Sequence, residues 1–499
     1  MKNEIYADYS KRYLFPPSVE DWVPDGHPVR FIREFVDSLD LFDLGFRERK
    51  IVEGRPNYSN NLLLKIWIYG YFEKIYSTRQ LEKACIDRVP LVWLTGRISP
   101  DHNTIWRFFK KNKGKIKNVF KKTVHIAIKT DMVGFALQAV DGTKIYASAS
   151  INKAMHKDDL QKLLKKIEIS MVNEVVKDIN DTERRESGLP SLFLPNKLRD
   201  KNALTKAITE GLDKYSKEEK QELKERIQSN IQELDEKKKK SLSIIDPESR
   251  MMKTKSCRDY CYNAQAVVDS KNQIIVGSKV TNDEDDRHQL TKMINESKKT
   301  CNKQTETTLA DGGYFSGSEV KKAEEKGYSV ITPVDGKVGK STKKGQDPEF
   351  AKEKFTYDPK EDVFICPMGK KLKYMSTSNP KSRNYSIMRY GCKDYKDCEC
   401  KDRCYTSKGG GGKKIDRTQY DDAIYRQNKK NSLDENKEIF KKRKGIVEPV
   451  FGWIKHNNGF NRWLYRGLKN VDAQWNLVCT GINLHKLFKV WKEKGLDLG

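Results

Sequence analysis

The sequence predicts a mixed α/β protein, with a mixed-sheet core behind a helical N-terminal domain and two insertions, one helical and one cysteine-rich. Three observations carry this. Residues 62–71 are apolar nearly all round, as in a buried helix. Apolar runs at 135–149, 262–280, 307–310 and 328–333 read as strands, with helical stretches between several of them. Five of the ten cysteines fall between Cys366 and Cys404.

Residues 1–130 read as a helical DNA-binding domain. Ser77-Thr78-Arg79-Gln80-Leu81-Glu82 carries a capping-box pattern. Pro100 and the polar residues after it open another helix, which has Ile105, Phe108 and Phe109 on its apolar side and continues into Lys110, Lys111, Lys113, Lys115 and Lys117. Short helices, tight turns and a basic final helix fit a helix-turn-helix-like reader in which Arg107 and Lys110 contact DNA. The same pattern fits a helical bundle with a solvated lysine face.

Residues 131–150 and 251–335 supply the first parts of the core. An apolar run leads to Asp141, after which Gly142-Thr143 is expected to turn the chain. Asp269-Ser270-Lys271-Asn272 separates two β-rich runs as a hairpin would. A helix is expected near 286–300, a strand ending at Asp311-Gly312-Gly313, a helix over 316–326 and a last strand over 328–333. Residues 151–250 form a charged insertion, in which Leu223, Ile227, Ile231 and Leu234 recur at helical spacing before the Lys237–Lys240 run. Residues 336–435 form the cysteine-rich insertion, with a flexible Gly409–Gly412 spacer that lacks the ending of a phosphate loop. Residues 436–499 complete the core with helices at 436–455 and 470–494.

The 97 Lys and Arg residues against 70 Asp and Glu leave a formal charge of +27 and a pI near 9.4. Folding gains nothing from such an excess, so a polyanion such as nucleic acid is the expected partner; a generally lysine-rich composition is the alternative. No apolar stretch is long enough to span a membrane, and the first residues lack an apolar signal core. A cytoplasmic, nucleoid-associated protein is therefore expected, its cysteines serving as thiols or metal ligands.

Phosphoryl transfer on DNA needs an oxygen nucleophile in line and a clamp for negative charge, a task suited to two divalent ions on hard carboxylate ligands. Asp141 and Asp311 each follow an apolar strand. Glu448 lies in the amphipathic run KKRKGIVEPVFGWIK. Each acid alone reads more readily as a turn residue or a helix-surface residue; their order and context carry the weight. AVDGTKI around Asp141, YNAQ at 262–265, LADGGYFS around Asp311 and IVEPVFGWIKHNNGFNRWLYRGL around Glu448 resemble the DDE transposases of bacterial insertion sequences. GRPNYSNNLLLKIWIYGYFEK and SPDHNTIWRFFKK resemble the helical domain common in that family.

The resemblance implies a ribonuclease-H-like core, with Asp141, Asp311 and Glu448 holding Mg²⁺ or Mn²⁺ for strand cleavage and strand transfer at terminal inverted repeats and target DNA, on a homodimer that pairs two ends. It implies DNA contacts from Lys444, Lys455, Arg462 and Arg466. Lys441 and Lys444 stand where the family signature has Tyr and Arg. Trp453, Trp463 and Tyr465 suit either base stacking or core packing. For the cysteines, a structural Zn²⁺ on Cys366, Cys392, Cys398 and Cys404 is the preferred set, with Cys400 as competitor and loose reduced thiols as the alternative. Cys257 and Cys261 lack partners nearby. A catalytically inactive DNA-binding protein and a purely hydrolytic nuclease are the competing functions.

Overall fold

The computed structural model describes residues 18–47, 57–149, 154–178, 201–236, 241–254, 256–333, 347–380, 385–405 and 412–495. The Lys237–Lys240 run, Gly409–Gly411 and the Gly54-Arg55-Pro56 part of the N-terminal motif lie outside them.

The N-terminal region contains α1 (Pro28–Asp37), α2 (Asn60–Phe72), α3 (Thr78–Asp87), α4 (Val89–Leu94) and α5 (His102–Lys129). Ser59 caps α2, accepting from Leu62 N, and Asp101 caps α5, accepting from Asn103 N and Thr104 N. The capping box expected at Ser77 does not form: Ser77 starts α3 but its side chain makes no cap bond, and Glu82 instead pairs with His102 at 2.9 Å.

The central sheet contains β1 (Leu137–Tyr146), β4 (Arg250–Lys253), β5 (Arg258–Asp269), β6 (Ile275–Thr281), β7 (Thr307–Ala310) and β8 (Val330–Ile331), with β2 (Ala154–Met155) and β3 (Leu242–Ser243) forming a separate pair. β5 pairs antiparallel with β1 on one edge and with β6 and β4 along the other. β7 runs parallel to β1, and β8 parallel to β7. This mixed order, β6-β5-β1-β7-β8, is the ribonuclease-H-like core the sequence implies. One expectation is corrected: β1 does not end at Asp141 but pairs on with β5 as far as Tyr146. The partner strand keeps supplying ladder hydrogen bonds, so Gly142-Thr143 has no reason to turn.

The insertion after β1 holds α6 (Lys157–Asp178), α7 (Lys201–Gly211) and α8 (Lys217–Glu236). Leu223, Ile227 and Leu234 bury against Leu160, Leu163 and Ile208 in a small core of their own. α9 (Leu290–Cys301) and α10 (Gly317–Glu325) flank β7 in sequence. The cysteine-rich segment, in which the sequence reading placed no strands, is a five-stranded antiparallel sheet: β9 (Thr356–Asp358), β10 (Val363–Ile365), β11 (Lys371–Ser378), β12 (Ile387–Gly391) and β13 (Lys414–Arg417). It closes over Phe350, Phe355, Phe364, Leu372, Tyr390 and Ile415.

Three helices complete the chain: α11 (Asp421–Ser432), α12 (Asp434–Gly452) and α13 (Leu468–Lys494). The side chains of α1, α2, α5 and α13 share one continuous hydrophobic core with the central sheet. Gly481 lets α13 cross α2 closely, since a Cβ there would lie 2.8 Å from the Tyr71 carbonyl. α13 also seals the outer edge of β6. Asn483 accepts from Ile275 N and donates to Ile275 O, both at 2.9 Å, and Asp472 accepts from Val280 N at 2.8 Å. Sheet edges need such covering, because open backbone groups invite pairing with other chains.

Candidate active site

The parallel register Val140↔Ala310 sets Asp141 and Asp311 side by side where β7 stops. Asp141 stays on the sheet; Asp311 caps the short turn Gly312–Tyr314. Each carboxylate has one oxygen held by a local backbone donor: Asp141 Oδ1 accepts from Gly142 N at 2.8 Å and Asp311 Oδ1 from Gly313 N at 2.8 Å. Burial pushes the Asp141 carboxyl up to about 6, and the nearby charges of Asp311 and Asp286 push the same way. A buried carboxylate among acids favours protonation unless a cation joins it.

In this structure Arg443 of α12 is that cation, with Nη1 3.4 Å from Asp141 Oδ2. Glu448, five residues further along α12, is exposed and makes no hydrogen bond or ion pair with the described residues. α12 packs against β1 and β7, so the helix reaches the aspartates although the glutamate carboxylate does not. Among the described residues no three His, Cys, Asp or Glu side chains are gathered tightly enough to hold a metal ion as they stand.

Sequence reasoning missed the polar side chains behind the pair. Asn263 and Gln265 sit two apart on β5, hence on one face, and both are fully buried. They donate to Asp286 Oδ1 at 2.6 and 2.7 Å, and Gln265 Oε1 accepts from the hydroxyl of buried Tyr314. Gly142 faces Gln265 across the ladder, and a Cβ there would lie 2.2 Å from Gln265 Nε2. The glycine beside Asp141 is thus what lets the amide cross. The available signal was YNAQ itself: two amides on one face of an apolar strand need buried partners.

The implied DNA contacts are placed unequally. Arg107, Lys110 and Lys444 are exposed. Lys113 instead donates to Asn470 at 3.0 Å, and Lys117 pairs with Glu296. Lys455 donates to the Lys144 carbonyl at 3.2 Å from the wider helical turn Trp453–Asn457. Arg462 donates to the Ala147 and Ala149 carbonyls at 2.8 and 3.2 Å. Arg466 lies half-buried beside Asp246, which also accepts from Gly467 N at 3.1 Å. Trp463 is buried against Phe460 and Trp475, and Tyr465 packs on Trp106 and Phe109, as core residues do.

In the cysteine-rich sheet, Cys366, Cys392, Cys398 and Cys404 line one cavity together with Phe350, Phe355 and Leu372, and Cys400 is not among its walls. Gly369, at φ +76°, tightens the turn that lets Lys370 N donate to Cys366 Sγ at 3.2 Å. Burial pushes the Cys404 thiol up to about 11.

Two segments match known families. Residues 365–488 match the Transposase DDE domain, and residues 17–111 match the Transposase domain (DUF772). Glu448 falls within the first; Asp141 and Asp311 lie between the two. No match is found among curated proteins or solved structures. The two matches support a DDE-type transposase of an insertion-sequence family. Among the described residues no helix is long and apolar enough to cross a membrane.

Proposed function

We propose that the protein binds the terminal inverted repeats of its element and catalyses metal-dependent DNA cleavage and strand transfer, with Asp141, Asp311 and Glu448 as the metal-binding acids. The adjacency of Asp141 and Asp311 at the end of β7 carries this reading. The donor set fits Mg²⁺ or Mn²⁺: hard carboxylate oxygens, with the Asp141 carboxyl pushed up to about 6 by burial and by the charges of Asp311 and Asp286. When bound, such ions lower the pKa of the attacking water or 3′-hydroxyl and stabilise the leaving oxygen.

The chain's own residues prepare for this. The backbone donors at Gly142 and Gly313 fix one oxygen of each aspartate. Arg443 pairs with Asp141 at 3.4 Å and would give way where a divalent ion bound. Glu448 joins from α12, which already lies along β1 and β7. Arg107, Lys110 and Lys444 offer exposed cationic heads to phosphates, while Lys455, Arg462 and Arg466 would have to leave backbone or carboxylate partners to do so. A homodimer would bring two ends together. Zn²⁺ on Cys366, Cys392, Cys398 and Cys404 would staple the small sheet, with the Lys370 amide supporting the Cys366 sulfur. Zinc analysis of the purified chain and of Cys366→Ser tests that set; a chain without zinc rejects it.

The test of function mixes purified protein, Mg²⁺ and DNA bearing the element's ends, and maps the products. Joined strands support the reading. Hydrolysis without joining would make the protein a nuclease, and full cleavage by Asp141→Asn would sink the site.

A further inference from the structure

Each aspartate of the pair has the same arrangement: Oδ1 accepts a hydrogen bond at 2.8 Å, and among the described residues no neutral donor reaches Oδ2. A third aspartate repeats it. Asp286 lies in the loop between β6 and α9, with Oδ1 held by Asn263 Nδ2 and Gln265 Nε2 at 2.6 and 2.7 Å. Among the described residues nothing donates to its Oδ2. Lys144 Nζ, buried and without a hydrogen bond, lies 3.5 Å from the held oxygen.

The position is close to the pair by construction. Gln265 bridges Asp286 to Gly142, the neighbour of Asp141, and to Tyr314, which ends the turn capped by Asp311. Two fully buried amides, a fully buried tyrosine and an obligatory glycine are committed to fixing this carboxylate. A loop aspartate needs no such support for folding, whereas a metal ligand needs its rotamer held from behind. Among the described residues Glu448 makes no hydrogen bond or ion pair, whereas the charge of Asp286 acts on Asp141 together with that of Asp311.

We propose that Asp286 is a fourth carboxylate of the active site, held by Asn263 and Gln265 so that its Oδ2 ligates the divalent ion bound by Asp141 and Asp311. This rests on the reading of those two as metal ligands. The test titrates Mn²⁺ alone into the full chain and follows the free ion by electron paramagnetic resonance, for the parent, Asp141→Asn and Asp286→Asn. The amide introduced by Asp286→Asn can still accept from Asn263 and Gln265, so a merely structural role would leave Mn²⁺ affinity unchanged. The expected result is a loss of about 10-fold or more in both variants. Loss in Asp141→Asn with parental affinity in Asp286→Asn overturns the assignment of Asp286 alone. Parental affinity in both overturns the pair as well. A second measurement uses the unaltered chain, so it holds even if a variant misfolds. Bound Fe²⁺ with ascorbate and peroxide should cut the backbone near 286 as well as near 141 and 311; cuts at 141 and 311 without one near 286 overturn the proposal.

Discussion

β5 and β6 are neighbours in one sheet, and each carries a buried polar network, but the two networks end differently. Along β6, Asp472 and Asn483 of α13 pair with backbone groups that would otherwise be open, and Asn476 accepts from Ser278 at 2.7 Å. Donors there meet acceptors, and the result is a sealed edge. Along β5, Asn263 and Gln265 converge on Asp286 but leave its Oδ2 and Lys144 Nζ without hydrogen bonds among the described residues. A satisfied network stabilises; one left open at a charged end has a cost to the fold that a ligand can offset.

This difference can be pressed by experiment. The largest effect should come from Asp141→Asn, with DNA cleavage falling at least about 10³-fold, as loss of several kcal/mol of metal-borne stabilisation requires. The same change should stabilise the metal-free chain. The folded-state carboxyl is raised to about 6, above its ordinary 3.8, so its favourable contribution is full at low pH and is lost as pH rises through 6. The amide variant escapes that loss. Melting in chelator at pH 8 should favour the variant, by up to about 3 kcal/mol, and the difference should vanish near pH 4. A variant no more stable than the parent at pH 8 would contradict the burial argument.

Next, Asn483→Leu should cost about 2–4 kcal/mol by leaving the Ile275 amide and carbonyl unpaired, while Mn²⁺ affinity per folded molecule stays parental. If metal affinity falls with stability, the two networks are not separable. Gly142→Ala should do the reverse: about 1–3 kcal/mol of stability but about 10-fold in Mn²⁺ affinity, because the new methyl displaces Gln265. The smallest effect belongs to Arg443→Gln. Arg443 lowers the Asp141 pKa, so its removal should move the pH midpoint of Mn²⁺ binding upward by less than about one unit. A downward shift would show that Arg443 instead competes with the metal more than it favours the carboxylate.

The sheet was legible where apolar runs end at punctuation. The hairpin at Asp269–Asn272 and the Asp311-Gly312-Gly313 stop were both readable, because glycine and turn residues mark the chain locally. β1 was misjudged at Asp141, because Gly142 looks like a turn until its cross-strand neighbour is known. The five strands of the cysteine-rich sheet were missed: most are short, and β11 and β13 carry exposed lysines that dilute any apolar alternation. Asp141 and Asp311 were picked out through their surroundings, and the register of β1 on β7 sets them side by side. Asp286 sits in the run Asp283-Glu284-Asp285-Asp286, where nothing local separates it from its neighbours; only the fold brings Asn263 and Gln265 to it. Arg443 was passed over for Lys444, which is exposed, because helix phase decides between adjacent cations.

The sealed edge of β6 also has a consequence for synthesis. Ile275 and the Asn483 that covers it are 208 residues apart. At about 5–20 residues per second a ribosome needs roughly 10–40 s to make the cover after the edge, and for that time the strand is open to any similar strand nearby. A nascent chain stopped before Leu468 should therefore self-associate through β6, which light scattering of the truncated product would detect; a monodisperse fragment would mean that something else guards the edge.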